Sequence, residues 1–422
     1  MINKDFFQKI LVVLFGIFIF RLGTYLPVPF VDPATLALYS QQKSGTILDI
    51  FNTFSGGSIE RFSILAIGIM PYISASIIIQ MGGYFLESLK KLKESGEEGQ
   101  IKLNMYTRCL TLSFAVLQAV ALTAHLSGQG VNGVPLVSNP DFSFFAVAVC
   151  SLVFGTMFLL WLGEKLTEYG LGSGISVIIF AGICSGFPTT FFSIVSMVQS
   201  GTMNLLFSLI ILAIFIGFIA FIIFIETSQR RIKLSTASQY DDEQGYLPLK
   251  INIAGIIPVI FASSLISLPA TAINFFGQSV KSDILMSITE MLSRGGILYF
   301  IILSALTLFF CFFYSRLIFD PKKTSDKLRQ SGAFLRGIRP GLHTESYLKL
   351  ISKRVTLIGA TYLIFISVFP EILLIKFSIP FYLGGTSLLI IVLVALEWYK
   401  QYLMHQQSKT YSKLRNNLMS KF

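Results

Sequence analysis

The chain has 422 residues, of which 53% are hydrophobic and 13% charged, with 40 Phe and a mean hydropathy of +0.71. Soluble domains carry about 25% charged residues, so this composition excludes a soluble globular protein and belongs to a chain whose main solvent is lipid. Lys and Arg (33) exceed Asp and Glu (22) by 11, which in a soluble protein suggests nucleic acid and in a membrane protein is first a topology signal.

Runs of roughly 20 apolar residues, enough at about 1.5 Å per residue to cross a hydrocarbon core of about 30 Å, occur ten times. They cover 8–26, 64–86, 106–126, 143–163, 173–190, 204–225, 253–274, 297–318, 355–370 and 380–399. The first run has no small-residue cleavage pattern and continues through Arg21 to Pro27 and Pro29, which reads as a mature spanning helix. With ten spans both termini share one side. Most basic residues fall in 1–7, 87–105, 164–172, 226–252, 319–354 and 400–422, whereas the opposite loops carry only Lys43, Arg61, Lys281, Arg294 and Lys376. The positive-inside rule therefore predicts cytoplasmic termini. Three cytoplasmic segments, 87–105, 226–252 and 319–354, are too long for simple turns, and such loops are commonly functional. On the outer side, 27–63 contains Pro and Gly and ends in a stretch too polar to span.

Catalytic and metal chemistry has no foothold in this pattern. Cys109, Cys150, Cys184 and Cys311 lie in or beside apolar runs without CxxC spacing, and His125, His343 and His405 are scattered, so neither metal nor cofactor is expected. Arg21, Glu164, Glu226, Arg316, Glu371 and Glu397 fall near span ends, where snorkelling is the expected explanation. No GxxxxGK[ST] sequence is present to hold nucleotide, so energy has to come from a partner.

Sliding the chain against itself aligns the ten residues from Gly68, Gly-Ile-Met-Pro-Tyr-Ile-Ser-Ala-Ser-Ile, with the ten from Gly255, Gly-Ile-Ile-Pro-Val-Ile-Phe-Ala-Ser-Ser. Five spans in each half make the repeat inverted. Gly followed by Pro71 or Pro258 predicts a kinked helix beside a water-filled cavity. The expected organisation is an N-terminal half at 1–190, a hinge loop at 191–203 and a C-terminal half at 204–422. Inverted repeats with broken helices also suit a secondary transporter of small solutes, which is the alternative reading.

Longer words narrow the choice. They include Phe51-Asn52, Phe54-Ser55-Gly56-Gly57, the segment from Gly68 to Gln80, Gly155-Thr156-Met157-Phe158 and Trp161-Leu162-Gly163-Glu164. They continue with Gly174-Ile175-Ser176, Leu247-Pro248-Leu249-Lys250, Gly332-Ala333-Phe334, Gly337-Ile338-Arg339-Pro340-Gly341, and Pro380-Phe381-Tyr382 followed by Gly384 to Ile390. In this order, over nearly the whole length, they resemble the bacterial SecY family, the central subunits of the Sec protein-conducting channel.

The resemblance implies an all-α integral membrane protein whose ten transmembrane helices form a clamshell of two inverted five-helix halves around an hourglass pore. It is not an enzyme and needs no cofactor. The pore ring would be Ile69, Ile73, Ile175, Ile179, Ile260 and Ile390, an apolar constriction that excludes ions and yields around an extended polypeptide. Residues 53–64 match a plug, with Phe54, Ser55, Gly56, Gly57 and Ser58 small or apolar and Glu60 and Arg61 keeping its outer end soluble. Ser74, Gln118 and Asn252, with Pro71 and Pro258, match a lateral gate that releases transmembrane helices into lipid.

Loops 226–252 and 319–354 resemble docking loops for a ribosome or a motor, with Arg230, Arg231, Arg336 and especially Arg339 as contact residues. The implied partners are SecE, SecG, the SecA ATPase motor, ribosomes with nascent chains, signal peptides and the lipid bilayer of the bacterial inner membrane. Ribosomal RNA is a further possible contact. Two departures bear on that contact: the loop tip reads Gln239-Tyr240-Asp241-Asp242-Glu243, and Glu97-Glu98 stand where the family is usually basic. Acidic tips weaken binding to RNA.

Overall fold

A computed structural model describes residues 4–31, 36, 52, 55–127, 130–131, 134–137, 141–201, 204–236, 245–276, 296–376 and 384–419. Helix dominates, as backbone in lipid must satisfy its own hydrogen bonds. Among the described residues, eight helices are long and apolar enough to cross a membrane. The chain forms two compact units.

The first unit holds residues 1–197, 264–296 and 393–422. Its helices are α1 (Lys4–Tyr25), α2 (Met70–Phe85), α3 (Glu87–Glu94), α4 (Glu97–Ser127), α5 (Phe142–Tyr169), α6 (Gly174–Cys184) and α7 (Gly186–Gln199), with a short hairpin of β1 (Gly130–Val131) and β2 (Val134–Pro135). Much of its core gathers Val28, Phe62, Ala66, Leu122, Phe144 and Leu152. Gly155 on α5 lies so close to the chain before α2 that a Cβ there would stand 2.0 Å from the Ile64 carbonyl oxygen, so only glycine permits the approach.

The second unit holds residues 198–263 and 297–392. It contains α8 (Leu205–Thr227), β3 (Gln229–Thr236), β4 (Tyr246–Lys250), the start of α9 (Ile257–Phe276), α10 (Ile297–Ile318), α11 (Pro321–Gln330), β5 (Ala333–Leu335), α12 (Leu342–Lys376) and the start of α13 (Gly385–Met419). α9 and α13 end within the residues of the first unit.

Several loop expectations are corrected. Residues 87–105 are helical on both sides of a turn at Ser95 and Gly96, and Glu97 and Glu98 occupy the first turn of α4, where negative charge complements the helix dipole. Residues 191–199, expected as loop, belong to α7, which has Pro188 in its first turn. The two long loops of the second unit are joined in one antiparallel sheet of order β4-β3-β5, with Arg231 opposite Pro248 and Leu234 opposite Leu335. Alternation in β3 explains it: Ile232 is buried and Leu234 half-buried while Arg231 and Lys233 face water. Ile232 packs with Leu249, Leu335, Leu348, Ile351 and Val355.

Candidate functional site

Gly68 and Gly255 adopt φ of +65° and +66°, a conformation that costs an L side chain about 1–2 kcal/mol. Each is followed by an isoleucine and then by the first residue of a helix, Met70 of α2 or Ile257 of α9. Pro71 and Pro258 are thus the second helical residues, where a missing N–H costs nothing. The expected kink is therefore corrected: Gly and Pro set a helix start. Residues 64–69 are apolar but not helical, and are tied instead by Ile64 N donating to Leu26 O and Gly68 N to Leu65 O, both at 3.0 Å.

The repeat extends to the hydrogen bonds. Tyr72 and Ile73 donate to the Ile69 carbonyl at 3.0 and 3.1 Å, and Val259 and Ile260 donate to the Ile256 carbonyl at 3.0 and 3.3 Å. Ile69, Ile73 and Ile179 are buried and Ile175 is half-buried, all in the first unit. In the second, Ile390 is buried near the start of α13 and Ile260 is half-buried.

Of the plug candidate at 53–64, Thr53 and Phe54 lie outside the described residues and the rest, from Ser55, is described. Ser55, Gly56 and Ser58 are buried and Gly57 is half-buried. The segment is closed by Gly57 N donating to Asn52 O at 2.9 Å and by the Ser58 hydroxyl donating to Ser55 O at 2.6 Å. Packing is tight at Gly56, where a Cβ would come 3.2 Å from both Gly182 Cα and Ser185 Oγ of the α6 end, while a Cβ at Gly68 would stand 3.6 Å from Ser55 Cβ. Arg21 donates to the Gly56 carbonyl at 3.3 Å and to the Tyr25 hydroxyl at 3.2 Å, so it holds this segment and does not snorkel. Glu60 accepts from Asn52 Nδ2 at 2.6 Å, and the Arg61 guanidinium lies 4.1 Å from the centre of the Tyr25 ring. Phe62, fully buried, anchors the far end in the core.

Of the gate candidates, Ser74 and Pro71 are buried on α2, Gln118 is half-buried on α4, and Pro258 is buried on α9. Ser264 of α9 donates to the Met70 sulfur at 3.8 Å, a contact sequence reasoning missed. Asn252 is 4% exposed and spends its amide donors within its own unit: Nδ2 donates to Glu226 Oε1 at 2.7 Å and to the Gly255 carbonyl at 3.1 Å. The Tyr362 hydroxyl donates to the same Glu226 oxygen at 3.3 Å. Glu226 and Glu371 are buried, at 6% and 4% exposure, which corrects the snorkelling expected of both. Glu164 receives a two-pronged contact from Arg108, at 2.9 and 2.7 Å, that ties α4 to α5.

The docking candidates are all exposed. Arg230 and Arg231 lie on β3, with Arg231 stacked 4.8 Å from the Tyr246 ring centre. Arg336 follows β5, and Arg339 sits between Gly337 and Gly341, with φ of +81° and +100°. The Arg339 carbonyl accepts from the Thr344 hydroxyl and the Gly341 carbonyl from the Ser325 hydroxyl, each at 3.0 Å, so two buried hydroxyls hold this exposed turn. The acidic tip 239–243 lies outside the described residues. Among the described residues no group of three His, Cys, Asp or Glu is placed to hold a metal.

Solved structures share this fold. One described as the structure of a protein conducting channel aligns with a TM-score of 0.70 at 17% identity, covering 96% of this chain and 94% of that one. Sec61 in a canine ribosome-channel complex aligns at 0.66 and 16% identity, covering 96% and 94%. The fold and the twice-used helix start define a polytopic helical membrane protein with the fold of these channel structures.

Sequence relatives specify it further. A family model described as SecY matches residues 63–399. The protein translocase subunit SecY of Escherichia coli K12 is 43% identical over 401 residues, covering 93% of this chain and 90% of that protein. That of Haemophilus influenzae is 43% identical over 410 residues, covering 96% and 92%. The chain belongs to the SecY family.

Proposed function

We propose that this chain is the pore-forming subunit of a general protein translocase, passing unfolded secretory polypeptides through the membrane and releasing apolar helices sideways. It is a channel and not an enzyme. The relatives are named as translocase subunits, which favours this reading over transport of small solutes. The observation that carries it is the segment at Ser55 to Ser58, with Gly56 close against the end of α6 and its carbonyl held by Arg21, as suits a displaceable plug.

In this proposal Ile69, Ile73, Ile175, Ile179, Ile260 and Ile390 form the ring. Their methyl-lined surface resists wetting by ions and adapts to any extended chain. Ser74, Gln118 and Asn252 belong to the lateral gate, and the repeat divides the chain into halves at 1–190 and 204–422. Arg339 and the arginines of β3 meet the SecA motor or a ribosome, and SecE and SecG complete the channel. The excess of Lys and Arg on alternate loops supports a bacterial inner-membrane location with cytoplasmic termini.

A secretory chain stalled in the reconstituted complex is expected to crosslink to cysteines replacing Ile73 or Ile260. Labelling of these cysteines by small solutes but never by the stalled chain overturns the proposal.

A further inference from the structure

The last turns of α10, the start of α11 and the first half of α12 line an open cavity of about 510 Å³, wholly within the second unit. Its lining includes the hydroxyls of Ser315 and Thr356, both buried and 2.5 Å apart. Phe312 of α10 and Phe319 just after it supply apolar wall. Arg316, Lys322, Lys349 and Lys353 bring four cationic side chains, all exposed, against the two carboxylates Asp320 and Glu345. Asp320 is already engaged, accepting from the backbone N–H of Lys322 and Lys323 at 3.0 and 3.3 Å as the cap of α11. None of the four cations forms a salt bridge among the described residues. The cavity thus has an unneutralised positive excess.

Its depth is equally specific. Arg316 is the only charged residue of α10, two positions from its end, and α12 turns apolar just after Lys353 and Arg354. The cavity therefore lies where the hydrocarbon core meets the headgroup layer. Exposed Ile318, Leu357 and Ile358 continue apolar surface on the same two helices. A fully aqueous anion has no use for such walls, whereas a lipid phosphate with its acyl chains attached matches cations at the rim and aromatic carbon beside them.

We propose that this cavity binds the phosphodiester headgroup of an anionic phospholipid, with Lys349, Lys353 and Arg316 on the phosphate and Phe312 and Phe319 against the glycerol and upper acyl carbons. Lys349 and Lys353 stand one helical turn apart on α12, so one headgroup reaches both. Each basic residue near an anionic headgroup contributes roughly a five-fold factor, so removing both lysines is expected to weaken binding about thirty-fold.

The test is lipid titration of the full chain, purified with its partner subunits, read by native mass spectrometry. Phosphatidylglycerol is expected to bind, phosphatidylcholine at the same concentration to bind far less, and inorganic phosphate to leave phosphatidylglycerol in place. K349Q/K353Q is expected to lose the anionic lipid, and K349R/K353R to retain it. Unchanged binding in K349Q/K353Q overturns the proposal. So does displacement by inorganic phosphate, which identifies a site for a soluble anion. Capture of a protein segment in place of lipid by a photo-crosslinker at position 353 also overturns it. Should K349Q/K353Q fail to fold, the discrimination among the three ligands by the unmodified chain decides.

Discussion

Ile73 and Ile260 occupy the same place in two helices, each donating its N–H to the carbonyl of an isoleucine four residues earlier, at 3.1 and 3.3 Å. Each lies five residues after a glycine with positive φ and two after a proline in the first turn. The two helix starts are thus built by one local rule used twice, and that rule can be broken one residue at a time.

Gly255→Ala tests the rule without a steric complication, because a Cβ at Gly255 meets nothing within 4 Å. The left-handed conformation alone is expected to cost about 1–2 kcal/mol. Thermal unfolding in detergent checks the value, and Gly255→Asn, which tolerates that conformation better, is expected to cost less.

Gly155→Ala is expected to be worse. Its methyl group would meet the Ile64 carbonyl oxygen at 2.0 Å, so either α5 or the chain before α2 has to move. A loss of roughly 2–3 kcal/mol is expected from overpacking at a backbone contact. Retained stability would show that residues 64–69 yield easily.

Arg21→Met removes the donor to the Gly56 carbonyl while preserving much of the side chain's bulk. A hydrogen bond from a charged group contributes about 1.5 kcal/mol or more, so, if the segment at Ser55 to Ser58 is the proposed plug, its unseated fraction is expected to rise about ten-fold. Resting ion conductance of the reconstituted channel measures this. An unaltered leak would separate Arg21 from the seal.

Glu226→Gln and Glu226→Ala distinguish charge from hydrogen bonding. Gln keeps an acceptor for Asn252 and Tyr362, and is expected to change stability little. Ala leaves both buried donors without that partner, at a cost of about 1–3 kcal/mol each. Equal losses for the two variants would mean that the carboxylate charge itself is needed.

Arg339→Glu is expected to abolish motor-driven or ribosome-driven export without altering thermal stability, since the side chain is exposed and only the Arg339 backbone carbonyl is engaged by Thr344. Export assays with purified partners, run beside a melting curve, separate docking from folding.

The membrane architecture was legible because hydropathy reports burial in lipid directly, and the long words around Gly68 and Gly337 marked the candidate plug, gate and docking turns. Hydropathy does not report backbone conformation, so apolar residues 64–69 resembled the start of a span although Leu26 and Ser63 carbonyls hold them out of a helix. Long-range polar partners were also invisible: nothing local distinguishes Glu226 from a snorkelling carboxylate until Asn252 and Tyr362 are brought to it. The sheet was readable in principle, from the alternation of Arg231, Ile232, Lys233 and Leu234, but long polar loops draw attention to charge before periodicity.

Because β3 is paired with β4 on one side and β5 on the other, the two long loops of the second unit are mechanically a single handle. A load applied near Arg339 reaches β5, crosses Leu335 to Leu234, and arrives at the end of α8 within a few residues. A force applied to the sheet is therefore shared by α8 and α12, and tugging on either loop strains both roots.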